Sequence, residues 1–117
     1  MSECVFCKIA RGEIKSDVVR ASNNFIAFRD IKPAAPGHTL VVPKKHYVTL
    51  LDIPQNLAEE MIGFTKSIAS DLLDKKLGDG FNIVMNNLPA AGQEVAHAHL
   101  HIIPRKEGDG LRFVTKV

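Results

Sequence analysis

Apolar and polar positions alternate without a break through His97-Ala98-His99-Leu100-His101-Ile102, and the run closes with Ile103-Pro104. Alternation of this kind is the mark of an extended strand, whose successive side chains point to opposite faces. The pattern predicts that three imidazoles share one face while Ala98, Leu100 and Ile102 point to the core. Side chains two residues apart on a strand are separated by about 6.6 Å, so neighbouring rings can share a phosphate or a metal ion.

Other stretches read as shorter strands from their apolar and β-branched residues. Val18-Val19-Arg20 and Phe25-Ile26-Ala27-Phe28-Arg29 flank the polar Ser22-Asn23-Asn24 and read as a hairpin. Thr39-Leu40-Val41-Val42-Pro43 is a β-branched strand closed by proline, and Phe81 to Asn86 is a further strand. Between them the period changes. Leu57, Met61, Phe64, Ile68 and Leu72 recur at steps of three or four, which is one buried face of a long helix, with Asp52 as its cap, Pro54 in its first turn and Gly78 as its stop. Cys4 to Arg11, ended by Gly12, is a second helical segment too short to stand alone, so the body of the protein must hold it. Asp30 to Gly37, with two prolines and a glycine, is a loop, as are Asn87 to Gly92 and the polar turn Arg105 to Gly110; Leu111 to Val117 forms a last strand or an ordered tail. The sum is an α+β fold of about five antiparallel strands, one long helix and one short N-terminal helix.

A chain of 117 residues suits one domain, 1–117, with a single core. Lys and Arg outnumber Asp and Glu by only 15 to 13 and, apart from Lys44-Lys45 and Lys75-Lys76, are dispersed among acids, so no nucleic-acid partner is expected. No apolar run reaches membrane-spanning length, and Glu3, Lys8 and Arg11 stand where a signal peptide needs its apolar core, so a cytoplasmic protein without a membrane partner is expected. Two cysteines three positions apart suit a metal or redox site in a reducing compartment.

The histidines change the picture most. A single histidine in a strand is commonly packed or solvated, but three of the chain's five lie in this one run, and strands do not favour histidine for packing. Two chemistries fit the spacing: a metal-binding face, or a nucleophile with supporting acid and base groups.

His97-Ala98-His99-Leu100-His101 resembles the signature of the histidine-triad (HIT) family. Phe28-Arg29-Asp30-Ile31 followed by Pro36 to His46 resembles a second block of that family, and Asn86 with Gly92-Gln93-Glu94-Val95 resembles its approach to the triad. The likeness implies a small α+β domain that pairs as a homodimer and acts on the α-phosphate of a purine, AMP-like nucleotide. By resemblance, His99 is the nucleophile that forms a nucleotidyl-histidine. His101 and His38 would orient it and donate to phosphate oxygens, Asn86 and the loop Gly92, Gln93 and Glu94 would sit at the phosphate and leaving group, and Asp30 would hold the ribose. Phe6, Ile9, Phe28 and Ile31 fall where the family places its nucleobase pocket; ordinary core packing would account for them equally well.

The resemblance also implies a structural zinc. HINT-like members bind it through an N-terminal Cys-x-x-Cys, the histidine of a Lys-Lys-His piece and the first triad histidine, here Cys4, Cys7, His46 and His97. That donor set closes a tetrahedral site with no open position. Three features depart from the HINT-like branch. Glu94 replaces a serine that helps the leaving group depart, Pro104 to Asp109 resembles the Fhit-like branch that cleaves dinucleoside polyphosphates, and the chain has no tryptophan. The expected activity is hydrolysis of nucleoside phosphoramidates or related nucleotides. The alternatives are dinucleoside polyphosphate hydrolysis, nucleotidyl transfer, and a nucleotide-binding interaction module with vestigial activity. A purely structural zinc module would leave His38, His99 and His101 without a purpose.

Overall fold

The structure, a computed structural model, describes residues 4–111. Five strands form one antiparallel sheet in the order β1-β2-β3-β5-β4: β1 Val18–Ala21, β2 Phe25–Arg29, β3 Thr39–Pro43, β4 Gly80–Val84 and β5 Leu100–Arg105. Strands β2 and β3 are buried almost along their whole length because both of their faces are covered. On one face α2, Ala58–Asp74, lays Phe64, Ile68, Ala69 and Leu72 against Phe25, Ala27, Val41 and Ile102. On the other, Phe6 of α1, Val5–Ala10, packs with Ile26, Phe28, Leu40 and Val42. The α+β class, the hairpin and the two helices are as the hydrophobic pattern predicts.

Both ends of the long helix depart from the prediction. Asp52 does not cap it. Its carboxylate accepts from the Thr49 amide at 3.0 Å, while the Thr49 hydroxyl accepts from Leu51 N–H at 3.1 Å, a capping box that closes a single 3₁₀ turn over Leu50–Asp52. Pro54 then lies in extended backbone, which stops the turn from propagating, and α2 begins only after a second short turn at Gln55–Leu57. At the other end the stop is Lys76, not Gly78. Lys76 takes a left-handed conformation (φ 60°), and the Lys76 and Leu77 amides donate back to Leu73 O and Leu72 O in a Schellman closure. Gly78 is required for a different reason: a Cβ there would lie 2.8 Å from Gly80 O and 3.0 Å from Arg105 N.

The histidine run also becomes a strand later than its alternation predicts. Pairing of β5 with β3 starts at Leu100 opposite Val41, so His97, Ala98 and His99 precede the ladder, with Ala98 N–H donating to Tyr47 O at 2.7 Å. β3 itself runs on to Pro43, but the Pro43 carbonyl accepts from the His97 ring at 2.8 Å and the Ala98 amide goes to Tyr47 O, so the ladder is not continued past Val41 and Leu100. Freed from the ladder, the first histidine serves a different site from the other two. Of the predicted C-terminal strand or tail, all but Leu111 lies outside the described residues.

Candidate functional site

Register builds the site. His101 on β5 pairs with Leu40 on β3, Leu40 with Phe28 on β2, and Phe28 with Val18 on β1. Directly paired residues project to the same face, so His101, Leu40 and Phe28 form one row across the sheet. A cavity of about 540 Å³ lies over that row. Phe6 and Ile9 of α1 wall one side, Asp30 and Ile31 after β2 the other, and His99, His101 and Glu94 close one end. Phe6 stands edge-on to His99, ring centroids 5.0 Å apart, and to Phe28 at 5.5 Å.

The three histidines here are almost fully buried and differently tied. His99 Nδ1–H donates to the His97 carbonyl at 2.7 Å, which leaves the lone pair on Nε2. His101 Nδ1 lies 2.9 Å from His38 Nε2, and the rings of His99 and His101 are 5.0 Å apart. Asp30 Oδ2 is 3.5 Å from His38 Nε2, and Asp30 Oδ1 accepts the Lys32 amide at 2.9 Å. Burial holds all three imidazoles below their ordinary pKa, opposed by Asp30 for His38 and by the His97 carbonyl, Asp30 and Glu94 for His99. For His101, burial reinforced by His99 and His38 pushes it down to about 3. All three are therefore neutral at pH 7, and a neutral imidazole with a free Nε2 is a nucleophile.

Behind Phe6, Cys4, Cys7, His46 and His97 bring four donor atoms within 4.8 Å of one another. Cys4 Sγ lies 3.3 Å from His97 Nδ1, and Cys7 Sγ lies 3.3 Å from His46 Nδ1 and 3.6 Å from His97 Nδ1. In a tetrahedral Cys₂His₂ zinc site the sulfur-to-nitrogen edge is about 3.6 Å, so these separations suit the ion without rearrangement. The His97 Nε2–H to Pro43 carbonyl bond turns the lone pair of Nδ1 toward the sulfurs, as a ligating histidine requires.

Of the residues singled out in the sequence, Phe6, Ile9, Phe28, Asp30, Ile31, Glu94, His99 and His101 line the cavity, with His38 directly behind His101. Asn86, Gly92 and Gln93 are not among its lining residues. The Gln93 side chain accepts from Leu88 N–H at 2.6 Å and donates to the Val48 and Val95 carbonyls, knitting three backbone segments together. Gly92 takes φ 94° at the end of a 3₁₀ turn, and the buried Asn86 Nδ2 has no partner among the described residues. Leu40, Val95, Lys15, Ser16 and Lys32 also line the cavity and were not foreseen. Leu40 could have been found from the register of its strand against the histidine strand; the others carry no local signal.

Known proteins share this architecture. A family model described as the HIT domain matches residues 11–108. A HIT-like protein of Methanocaldococcus jannaschii is 52% identical over 109 residues, covering 92% of this chain and 82% of the relative. Adenylylsulfatase HINT3 of Arabidopsis thaliana is 39% identical over 110 residues, covering 94% of this chain but 56% of the relative. The crystal structure of a Zn-bound histidine triad family protein from Mycobacterium smegmatis superposes with a TM-score of 0.89 at 38% identity, covering 99% of this chain and 84% of that one. With the fold, the triad and the matched span in agreement, the chain belongs to the HIT domain family.

Proposed function

We propose that this chain, as one HIT domain, hydrolyses purine nucleoside phosphoramidates and related nucleotides at the α-phosphate. The observation that carries the reading is His99: its Nδ1 proton is held by the His97 carbonyl, its Nε2 is unprotonated, and it lines the cavity. Nε2 attacks the α-phosphorus, the bond from phosphorus to the leaving nitrogen breaks with its electron pair going to nitrogen, and the amine departs with a proton taken from solvent, which the water of the second step returns. Water then attacks phosphorus, releasing the nucleoside monophosphate and restoring neutral His99. His101 Nε2, buried and without a partner among the described residues, is the donor for a non-bridging oxygen. From His101 to Phe28 is two strand spacings, roughly 10 Å, which leaves room for a ribose at Asp30 and a base between Phe6, Ile9, Phe28 and Ile31. Of Asn86, Gly92, Gln93 and Glu94, only Glu94 lines the cavity and borders the leaving group, while Gln93 holds its segment in place through the Leu88, Val48 and Val95 backbone. The Glu94 carboxylate repels a polyphosphate and suits an amine, which favours phosphoramidates.

A second reading has one specific support: the relative called adenylylsulfatase HINT3. Adenylyl sulfate presents the same α-phosphate with sulfate as leaving group, so the step at His99 is unchanged. Zinc on Cys4, Cys7, His46 and His97 is structural in this proposal, because four protein donors leave no position for substrate. Thiolate ligands in turn suit the cytoplasm. The homodimer is supported by β4, an edge strand whose Phe81 and Ile83 are 41% and 44% exposed. Among the described residues no helix is long and apolar enough to cross a membrane.

The test is turnover of adenosine 5′-phosphoramidate and adenylyl sulfate by the wild type and by His99→Asn. Turnover of either substrate, lost by several orders of magnitude in the variant, supports the reading and ranks the leaving groups. Equal rates for the two proteins overturn His99 as nucleophile, and a wild type inactive on both substrates overturns the proposed substrate class.

A further inference from the structure

Hydrogen bonds in series connect a main-chain amide to the floor of the cavity. Ala34 N–H donates to His38 Nδ1 at 3.0 Å, His38 Nε2 faces His101 Nδ1 at 2.9 Å, and His101 Nε2, on a side chain only 2% exposed, has no partner among the described residues. An amide N–H can only donate, so His38 Nδ1 carries a lone pair and the proton of this imidazole is on Nε2. The Asp30 carboxylate, 3.5 Å from the same Nε2 and not hydrogen-bonded to it, is compatible with that tautomer but does not impose it. His38 Nε2–H must then donate to His101 Nδ1, which leaves the His101 proton on Nε2. We propose that the main-chain N–H of Ala34 sets the tautomer of His101 through His38, so that His101 presents a fixed N–H donor to the cavity.

The loop is built to hold that amide still. Pro33 and Pro36 bracket Ala34 and Ala35, which restricts the backbone and leaves only those two residues with an N–H to offer. Asp30 N–H donates to His38 O at 3.0 Å and His38 N–H to Ala35 O at 3.1 Å, so the loop closes on itself at its base. Gly37, at φ +87°, seats it against the core: a Cβ there would lie 3.2 Å from Leu77 and Pro104 and 3.3 Å from Leu72. The amide also opposes an imidazolium at His38, since a proton on Nδ1 would set two N–H groups head to head. Burial acts in the same direction. Ala34 is thus a positioning residue: it acts at one remove, through the proton it places on His101.

The inference rests on the nucleotide reading only for the identity of the acceptor, a phosphate oxygen; the tautomer is independent of it. The test is a long-range ¹H–¹⁵N correlation spectrum of the full, zinc-loaded, ligand-free chain, whose five histidines can be assigned by single substitutions. His38 and His101 are both expected as Nε2–H tautomers, and a proton on Nδ1 of either overturns the inference. In Ala34→Pro, which deletes the donor, His38 should become a mixture of tautomers, with kcat reduced about tenfold and KM changed less than about threefold. Ala34→Gly, which keeps the N–H, should retain the wild-type pattern and rate. A folded Ala34→Pro whose His38 and His101 signals are unchanged would show that the amide does not set the tautomer. If the proline variant does not fold, the wild type decides through the coupling across the hydrogen bond from Ala34 N–H to His38 Nδ1: its presence together with both Nε2–H tautomers supports the inference, and its absence overturns it. Expected tautomers in a protein that turns over no nucleotide would sink the substrate reading and leave this inference standing.

Discussion

Removing the proposed zinc should weaken nucleotide binding far more than it slows chemistry. The perturbation of choice is Cys4→Ser. Cys4 is the N-cap of α1, its sulfur accepting from Cys7 N–H at 3.5 Å, and serine keeps a capping acceptor while losing the thiolate. Helix α1 has only six residues, and a helix that short is not stable in water by itself. Without the ion, the packing of Phe6, Cys7, Ile9 and Ala10 is left as the main apolar anchor. Phe6 and Ile9 are also one wall of the cavity, so loosening the helix removes one of the two faces between which a base would lie. A contact between a base and an aromatic side chain is worth about 1–3 kcal/mol, so KM should rise about tenfold. The reacting groups sit on the sheet side: His99 is held by the His97 carbonyl, and Ala98 N–H is anchored on Tyr47 O, so kcat should stay within about threefold. Steady-state kinetics on adenosine 5′-phosphoramidate, paired with hydrogen exchange of the amides in residues 5–10, read both consequences. A fall in kcat with KM unchanged, or α1 amides that remain protected in the variant, would refute the reasoning.

Other consequences can be measured separately. Because burial depresses the pKa of His101 in the folded state to about 3, the unfolded chain takes up that proton first as the pH falls below about 6.5. The contribution is complete above that value and is lost toward pH 3. By pH 5 it costs about 2 kcal/mol, so urea melts at pH 7 and pH 5 should differ by about that much less in His101→Gln than in the wild type; parallel losses would count against it. Gly78→Ala should destabilise by about 1–3 kcal/mol, since its Cβ meets backbone atoms of Gly80 and Arg105 that cannot move aside; an unchanged Tm would show that the chain yields there. Gln93→Ala leaves the Leu88 amide and the Val48 carbonyl without the Gln93 side chain, while Val95 O keeps the His97 N–H at 2.8 Å, and should cost about 2–3 kcal/mol, read as a lowered midpoint in urea. A cost below about 1 kcal/mol would mean that water replaces the side chain.

The amino-acid sequence by itself was enough for the elements. The short apolar and β-branched runs at Phe25 to Arg29 and Thr39 to Pro43 correspond to β2 and β3, whose two faces are both covered, and the three-four stripe from Leu57 to Leu72 corresponds to α2, whose single buried face imposes that period locally. Element ends were less legible. Asp52 and Gly78 are good capping residues by type, but Thr49 stands at capping-box distance from Asp52, and a Schellman closure two residues before Gly78 had already ended the helix. The histidines show the division most clearly. Their spacing marks His97, His99 and His101 as chemistry, yet alternation alone sets all three on one face of one strand. Only the tertiary structure separates them. Pro43 ends β3 and takes the ring of His97, Cys4 and Cys7 arrive on a helix more than 80 residues upstream, and His38 reaches His101 across the ladder from the end of a proline-bracketed loop. Those contacts lie between residues 39 to 93 positions apart, so no local pattern encodes them; pairing of β3 with β5 and the seating of α1 decide which nitrogen meets which partner.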